Sequence, residues 1–509
     1  MTTHLKSLLL AAGATFFLAS CDPEIDTPTP TTDGKVDLTK FIAIGNSLTA
    51  GYASNGLYLE GQKVAYPVLI AQQFKLAGGG DFTAPLFSAD QADGTGYLRL
   101  DGFLSATAPI LTQVPRDPDV VAGKSAFAYN STINPDSVVL KPFVGGAIQN
   151  WGVPGIRVAD LETPGYGFPN AYFGRMLPEA EKPSMTYTTK ILAQNPTFFT
   201  CWLGNNDVLG YSTAGGSQLL ANVTPEADFT LKYKNLIHSL VNQPQKPKGV
   251  LANIPDVTSI PFFTTVGPGV KAGLPATVPA FFEFKFDSVL NKVLAIVANP
   301  VNPGITILDT TKGSPVLTSK IATLNPVSGE FEGDVFFTLT FSPYAGDLGK
   351  PKGTAWRNII KTVMKQFGLP PVLEPAIWAN SGLDTTKPFG FSHRNPVPDV
   401  YVLNSAETAI ARQTVAAYNN IIQTTASEHG LAYVDANSFL KGITKGAYYD
   451  GISTSASFLS GGAFSLDGVH LTPRGNALAA NEFIKAMNAK YGTKITVVNP
   501  GQYRGVTFP

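Results

Sequence analysis

The sequence predicts an α/β domain with a mainly parallel, five-stranded sheet, helices on both faces and two long insertions. Two observations carry this reading. Five short runs are apolar almost throughout, the pattern of strands buried on both faces rather than one. Segments with helical spacing or helix-start signals alternate with them, which implies βαβ units. The stretches 80–143 and 260–400 fit neither pattern and read as insertions.

Taken in order, Phe41–Ile44 is the first strand, closed by Gly45, where the backbone is free to turn sharply. Tyr66–Phe74 carries apolar residues at helical spacing. Phe143–Asn150 reads as the second strand and runs into the turn chemistry of Asn150-Trp151-Gly152-Val153-Pro154-Gly155. Pro196–Leu203 is the third strand, followed by Gly204-Asn205-Asn206-Asp207. Pro225–Val241 is a helix with Pro225 at its first position, and Gly249–Ile254 is the fourth strand. Inside the second insertion a helix is expected over Phe282–Ala298, a short strand over Ile305–Leu308 and an apolar run over Val335–Phe341. Val402–Glu428 reads as a long helix, Leu431–Asp435 as the fifth strand, and 436–466 as Ser/Gly-rich loop. Thr472-Pro473 opens the last helix, which runs to about Tyr491.

Of 509 residues, 44% are hydrophobic, enough for a sizeable core, and only 15% are charged, 37 basic against 37 acidic. That balance, with no basic run, argues against nucleic acid as a partner. At the N-terminus, His4 and Lys6 precede the apolar run Leu8–Leu18, too short to span a bilayer as a helix. Leu18-Ala19-Ser20-Cys21 follows and resembles the lipobox of a bacterial lipoprotein. The resemblance implies a signal peptide over 1–20, a lipid on Cys21, a membrane partner and a place in the cell envelope, facing the periplasm or the cell surface. The alternative is an ordinary signal peptide that ends near a cysteine. Residues 21–35 are a Pro/Thr/Asp-rich tether, too poor in apolar side chains to fold. The globular domain then spans 36–492, and 493–509 is an irregular tail. With two cysteines, Cys21 and Cys201, there is no disulfide framework and no cysteine-based metal site; Cys201 lies in an apolar run and reads as buried and inert.

Ser47 follows the first strand at its carboxyl end, where open α/β sheets place their ligands. Asp467-Gly468-Val469-His470 lies in a loop ahead of a helix. That spacing lets the carboxylate fold back onto Nδ1 of His470, leaving Nε2 to take a proton from Ser47. Acyl transfer also needs donors for an oxyanion. Gly152 offers an unobstructed N–H, Asn206 a side-chain amide, and Ser47 its own N–H at a helix start. Taken singly, Ser47 also reads as a helix N-cap, Gly152 as a plain turn residue, Asn206 as a turn-forming Asn and Asp467–His470 as a surface pair. His238, His393 and His429 lack a carboxylate at such spacing, and no His cluster suggests a metal.

Together, Gly45-Asn46-Ser47-Leu48, Gly152, Gly204-Asn205-Asn206-Asp207 and Asp467-Gly468-Val469-His470 resemble, in order, the four sequence blocks of the SGNH hydrolases, the GDSL family of esterases and lipases. Asn46 stands where that family usually has Asp. The resemblance implies a flavodoxin-like three-layer sandwich and a serine ester hydrolase without a cofactor. Ser47 would be the nucleophile, His470 the base and Asp467 its orienter, with Ser47, Gly152 and Asn206 around the oxyanion. Substrates would be lipid esters or acetylated glycans. The resemblance does not extend to either insertion. Thr49 stands where an α/β-hydrolase elbow needs glycine, so that elbow fails. The competing class is a lipid-anchored glycan- or lipid-binding protein on a silent scaffold. For the insertions the alternatives are walls of an acyl pocket over the site, or packing against the sheet's flank.

Overall fold

The computed structural model describes residues 29–105, 108–124, 138–216, 221–273, 282–284, 320–322, 333–366, 370–380, 383–392, 394–449 and 452–509. The signal segment, Cys21, His393 and the expected strand Ile305–Leu308 lie outside these, as does the expected helix Phe282–Ala298 beyond its first three residues.

Strand β1 (Phe41–Gly45) leads through Asn46 into the one-turn helix α1 (Ser47–Ala50), and helix α2 (Tyr66–Leu76) follows. Strand β2 (Asn150–Gly152) comes after the first insertion. Strand β3 (Phe198–Trp202) precedes helices α3 (Asn206–Thr213) and α4 (Glu226–Val241), and β4 (Lys248–Ala252) follows. After the second insertion come α5 (Ser405–Glu428), β5 (Ala432–Val434), α6 (Ala436–Thr444) and α7 (Pro473–Tyr491). The five strands form one sheet in the order β2-β1-β3-β4-β5, and every neighbouring pair is parallel. One face packs on α2 and α7 through Leu69, Ile70, Phe483 and Ile484. The other packs on α4 and α5 through Phe229, Leu236, Val415 and Tyr418. The result is helices, sheet, helices, with Ser47 at the carboxyl end of β1, between β2 and β3 in the sheet.

Most elements stand where the apolar pattern puts them, but two boundaries move and two segments change type. β2 begins only at Asn150, because the Pro142 and Gly145-Gly146 region ahead of it is irregular and Val144 is 94% exposed. α5 begins at Ser405 rather than Val402. Asn404 caps it by accepting the Glu407 N–H, while Glu407 accepts the Asn404 N–H, and Val402–Leu403 is instead a short strand against Phe336–Phe337. Residues 436–444, read as loop, are helix α6, opened by Asp435, whose carboxylate accepts the Ser438 N–H. Phe282–Phe284, expected to be helical, pairs antiparallel with Lys320–Ala322.

The first insertion contains the antiparallel pair Tyr97–Ser105 and Ala108–Val114. It is fastened to the core at Pro85–Phe87. Gln62 donates to the Pro85 carbonyl and accepts the Phe87 N–H (both 2.9 Å), and the buried guanidinium of Arg175 lies over the Phe87 ring at 4.3 Å. The second insertion has a core of its own around Phe341, Trp356, Ile360 and Tyr401. The tail is mostly irregular yet docked: Asn481 brackets Val498 with two hydrogen bonds, and Ile495 is buried.

Where β1 and β2 end, the turn bearing Ser47 lies almost on the sheet. A Cβ on Gly152 would stand 2.2 Å from the Ala50 nitrogen. Gly152→Ala is therefore expected to lose about 1–3 kcal/mol or more in denaturant unfolding, as an overpacked core does. Gly146→Ala, where a Cβ meets nothing within 4 Å, is expected to stay within about 0.5 kcal/mol of the parent. Equal losses at the two positions would contradict the close approach.

Candidate active site

The path of the chain from β1 to β2 on one side and then to β3 on the other leaves a crevice at the carboxyl end of β1. Ligands of open α/β sheets bind at such a reversal. Ser47 is the first residue of α1 there, and its side chain is nearly buried. Asn46 caps the turn by accepting the Leu48 N–H at 3.1 Å, and its amide donates to Asn205 Oδ1 at 3.3 Å. An Asp at 46 would keep the cap and lose the donor, so Asn suits this contact.

His470 reaches Ser47 from the loop before α7. Its Nε2 lies 2.9 Å from Ser47 Oγ, and its Nδ1 lies 2.9 Å from Asp467 Oδ2. With Asp467 accepting the Nδ1 proton, Nε2 is left to accept the Ser47 hydroxyl proton. The His470 and Asp467 side chains are only 14% and 9% exposed, so water screens this contact weakly. The Tyr52 ring lies against the imidazole at 4.7 Å between centroids. Burial, Tyr172 and Asp467 together push the Tyr52 phenol well above its ordinary range, so it stays uncharged beside the imidazole.

Asp467 is over-determined. Its Oδ1 accepts the N–H groups of His470 (2.8 Å) and Val469 (2.9 Å) and the Ser465 hydroxyl (3.1 Å), and its Oδ2 accepts the Asn55 N–H (2.8 Å). Burial works to raise the carboxyl. The charge and hydrogen bond of His470, with the backbone N–H groups of His470 and Asn55, outweigh it and hold the group well below the usual carboxylate range. Ser54 and Asn55 both sit in the left-handed region (φ 50 and 65), which turns the Asn55 N–H onto the carboxylate. Ser465 is positioned in turn by the Ser54 N–H at 2.8 Å. These three supports were not singled out in the sequence. The Ser54-Asn55-Gly56 turn chemistry was the available signal. From behind, the second insertion holds the same loop, since the Phe262 N–H donates to the Gly468 carbonyl at 3.0 Å.

Asn206, at the start of α3, lines the pocket beside Ser47. One amide hydrogen goes to the Ile156 carbonyl at 2.9 Å, which aims the group and leaves the second hydrogen for another acceptor. The next residue, Asp207, is fully buried and staples this loop to the one after β2 by accepting the Val158 and Ala159 N–H groups and the Thr224 hydroxyl. Burial pushes its carboxyl up to about 6 against those bonds. Gly152 has a different place from the one expected. Its N–H already donates to Asn150 Oδ1 at 3.0 Å, while the Asn150 amide donates to the Thr49 carbonyl at 2.9 Å. Gly152 and Asn150 thus clamp the serine turn, and the Gly152 N–H is not open to an oxyanion. Cys201 is buried in β3, its thiol pushed up to about 12 by burial.

The pocket at Ser47 is lined mainly by apolar side chains from α3, the segment Pro255–Ile260, α6 and the loop 464–471. Among the described residues, the insertions give it only Ile260, at the border of the second. Also among them, no cluster of three or more His, Cys, Asp and Glu residues is arranged to hold a metal, and no helix is long and apolar enough to cross a membrane.

Comparison of the chain with protein-family models, curated proteins and solved structures gives no match.

The supports of Asp467 yield two expectations. Asn55→Val places a β-branched residue at positive φ and should cost about 1–2 kcal/mol, whereas Asn55→Gly should cost far less; indistinguishable unfolding midpoints would contradict the strained turn. For pH, the folded carboxyl of Asp467 lies below its unfolded value near 4. Its stabilisation is therefore present above about pH 4 and is lost as the pH falls through the folded value. The stability difference between the parent and Asp467→Asn should be constant at neutral pH and shrink below about pH 4. A gap that widens on acidification would reverse the assigned sign.

Proposed function

We propose that the protein is a serine ester hydrolase of the SGNH type that acts through an acyl-enzyme. The observation that carries this reading is the unbroken line Ser47 Oγ, His470 Nε2, His470 Nδ1, Asp467, with both contacts at 2.9 Å. The strand order β2-β1-β3-β4-β5 supports a flavodoxin-like arrangement of the three layers. The match of the four sequence blocks to the loops at the sheet's carboxyl edge supports the family.

In this reading His470 Nε2 takes the Ser47 proton as Oγ bonds to the ester carbonyl carbon. Asp467 stabilises the imidazolium that forms. As the tetrahedral intermediate collapses, the bond to the alcohol oxygen breaks and His470 returns the proton to that oxygen. Water, deprotonated by the same imidazole, then attacks the Ser47 ester, and the acid leaves with Ser47 restored. The oxyanion is held by the Ser47 N–H and by the amide hydrogen of Asn206 that Ile156 leaves over. A third donor comes from the turn after β2. The Val153 N–H goes to the Gly45 carbonyl and the Ile156 N–H to the Val153 carbonyl, and Pro154 has none. With Gly152 engaged, Gly155 (φ 81) is the residue whose N–H has no acceptor among the described residues.

The lipobox-like Leu18-Ala19-Ser20-Cys21 supports export and lipid attachment at Cys21, with the enzyme held at a membrane of the cell envelope.

The test is turnover of simple carboxylic esters. Ser47→Ala should reduce the rate to background. Asn206→Ala should lower kcat by about two to three orders of magnitude while thermal unfolding stays near that of the parent. Ester turnover that persists in Ser47→Ala would overturn the proposal, and a parental rate in Asn206→Ala would remove Asn206 from the oxyanion site.

A further inference from the structure

Deepening that reading, and resting on it, we infer that the pocket beside Ser47 is an acyl-chain site, so that the enzyme's substrates are esters of medium-length fatty acids rather than acetylated sugars. The pocket joins two unlike sets of groups. Ser47, Asn206 and His470 line it together with Leu209 of α3, Val257 and Ile260 of the segment after β4, and Phe439, Leu440 and Ile443 of α6.

Most of the other polar atoms in the lining are already occupied. Asn46 donates to Asn205 Oδ1 and accepts the Leu48 N–H, and the Trp202 indole N–H donates to the Asn253 carbonyl at 3.0 Å. A sugar ring pushed into this space would leave its hydroxyls unpaired, at a cost that a buried polar group always carries. An alkyl chain would lose nothing and leave water. The amphipathic face of α6 makes one whole wall, with Leu440 5% and Ile443 1% exposed.

The wall is preformed as well as apolar. The first turn of α6 is pinned to the end of β4, where Asn253 Oδ1 accepts the Asn437 N–H at 2.9 Å and the Asn437 amide donates to the Ile254 carbonyl at 3.1 Å. Asn253 also donates to Asp435, the residue that caps α6, at 2.9 Å. A chain entering the pocket therefore meets a formed surface, and little ordering offsets the gain from its burial. Leu440 and Ile443 are the residues that set the length of chain accepted.

The experiment compares p-nitrophenyl acetate, hexanoate, octanoate and dodecanoate on the parent, Leu440→Trp and Leu440→Ala. Each methylene taken out of water is worth about a fourfold gain. The octanoate-to-acetate ratio of kcat/KM should exceed about ten in the parent, fall at least about tenfold in Leu440→Trp, and move toward dodecanoate in Leu440→Ala. A parent that prefers acetate, or ratios unmoved by both substitutions, would overturn the inference. A separate arm measures calorimetric binding of free decanoate to Ser47→Ala protein, with and without Leu440→Trp. Decanoate binding that Leu440→Trp weakens supports the chain site even if no ester is turned over, an outcome in which the hydrolase reading alone fails. No binding would count against the pocket.

Discussion

The site depends on how closely one turn of helix approaches the end of the sheet. Ser47 belongs to a four-residue helix that gains little from its own hydrogen bonds. It is held from below instead. Gly45 and Gly152 have no Cβ at the points where Thr49 and Ala50 come down on β1 and β2, and Asn150 ties β2 to the Thr49 carbonyl. Gly51, at φ 81, closes the turn. Ser47 thus stands on a turn seated directly on the sheet. The loops that bring His470, Asn206 and the apolar pocket are arranged around it.

A second constraint is electrostatic. Asp467 is a largely buried carboxylate, and burial alone would neutralise it. Three backbone N–H groups, a hydroxyl and the imidazole keep it charged. One of these supports, the Asn55 N–H, comes from the turn after α1, which also holds Ser465 through the Ser54 N–H and carries residues 54 and 55 in left-handed backbone. Backbone strain of this kind persists only where the surroundings enforce it. Here it aims an N–H at the carboxylate that contacts His470 Nδ1. The same turn therefore links the serine and the His–Asp pair, although they lie at opposite ends of the chain.

Much of the core was legible in the sequence because strands buried on both faces are apolar at nearly every position, as in Phe41–Ile44 and, but for Thr200, Phe198–Trp202. Ser47, Asp467, His470 and Asn206 were legible from spacing and from their positions beside strands and helices, and the structure brings them to one edge. What escaped was set by contacts made across the chain. β2 has three residues, too few for a periodic signal, so its start was placed in the Gly-rich segment before it. Helix α6 was hidden by Asn437, Ser438 and Gly442, although Asp435 as cap and Ala436, Leu440 and Ile443 at helical spacing mark it. The role of Gly152 was misplaced because sequence does not show that Asn150, two residues earlier, takes its N–H. For the insertions, pocket walls and packing on the sheet's flank were both open from sequence; Phe87, Val120 and Leu140 of the first join the main core, and the second builds a separate core around Trp356.

In the proposed reading, Ser47 is a nucleophile made reactive by His470 and Asp467. The most direct measurement is covalent labelling by a fluorophosphonate, with the modified peptide identified by mass spectrometry. The account predicts a single adduct on Ser47, none on Ser47→Ala, and labelling slowed severely in His470→Ala. An adduct on another residue, or labelling at the parental rate without His470, would contradict it.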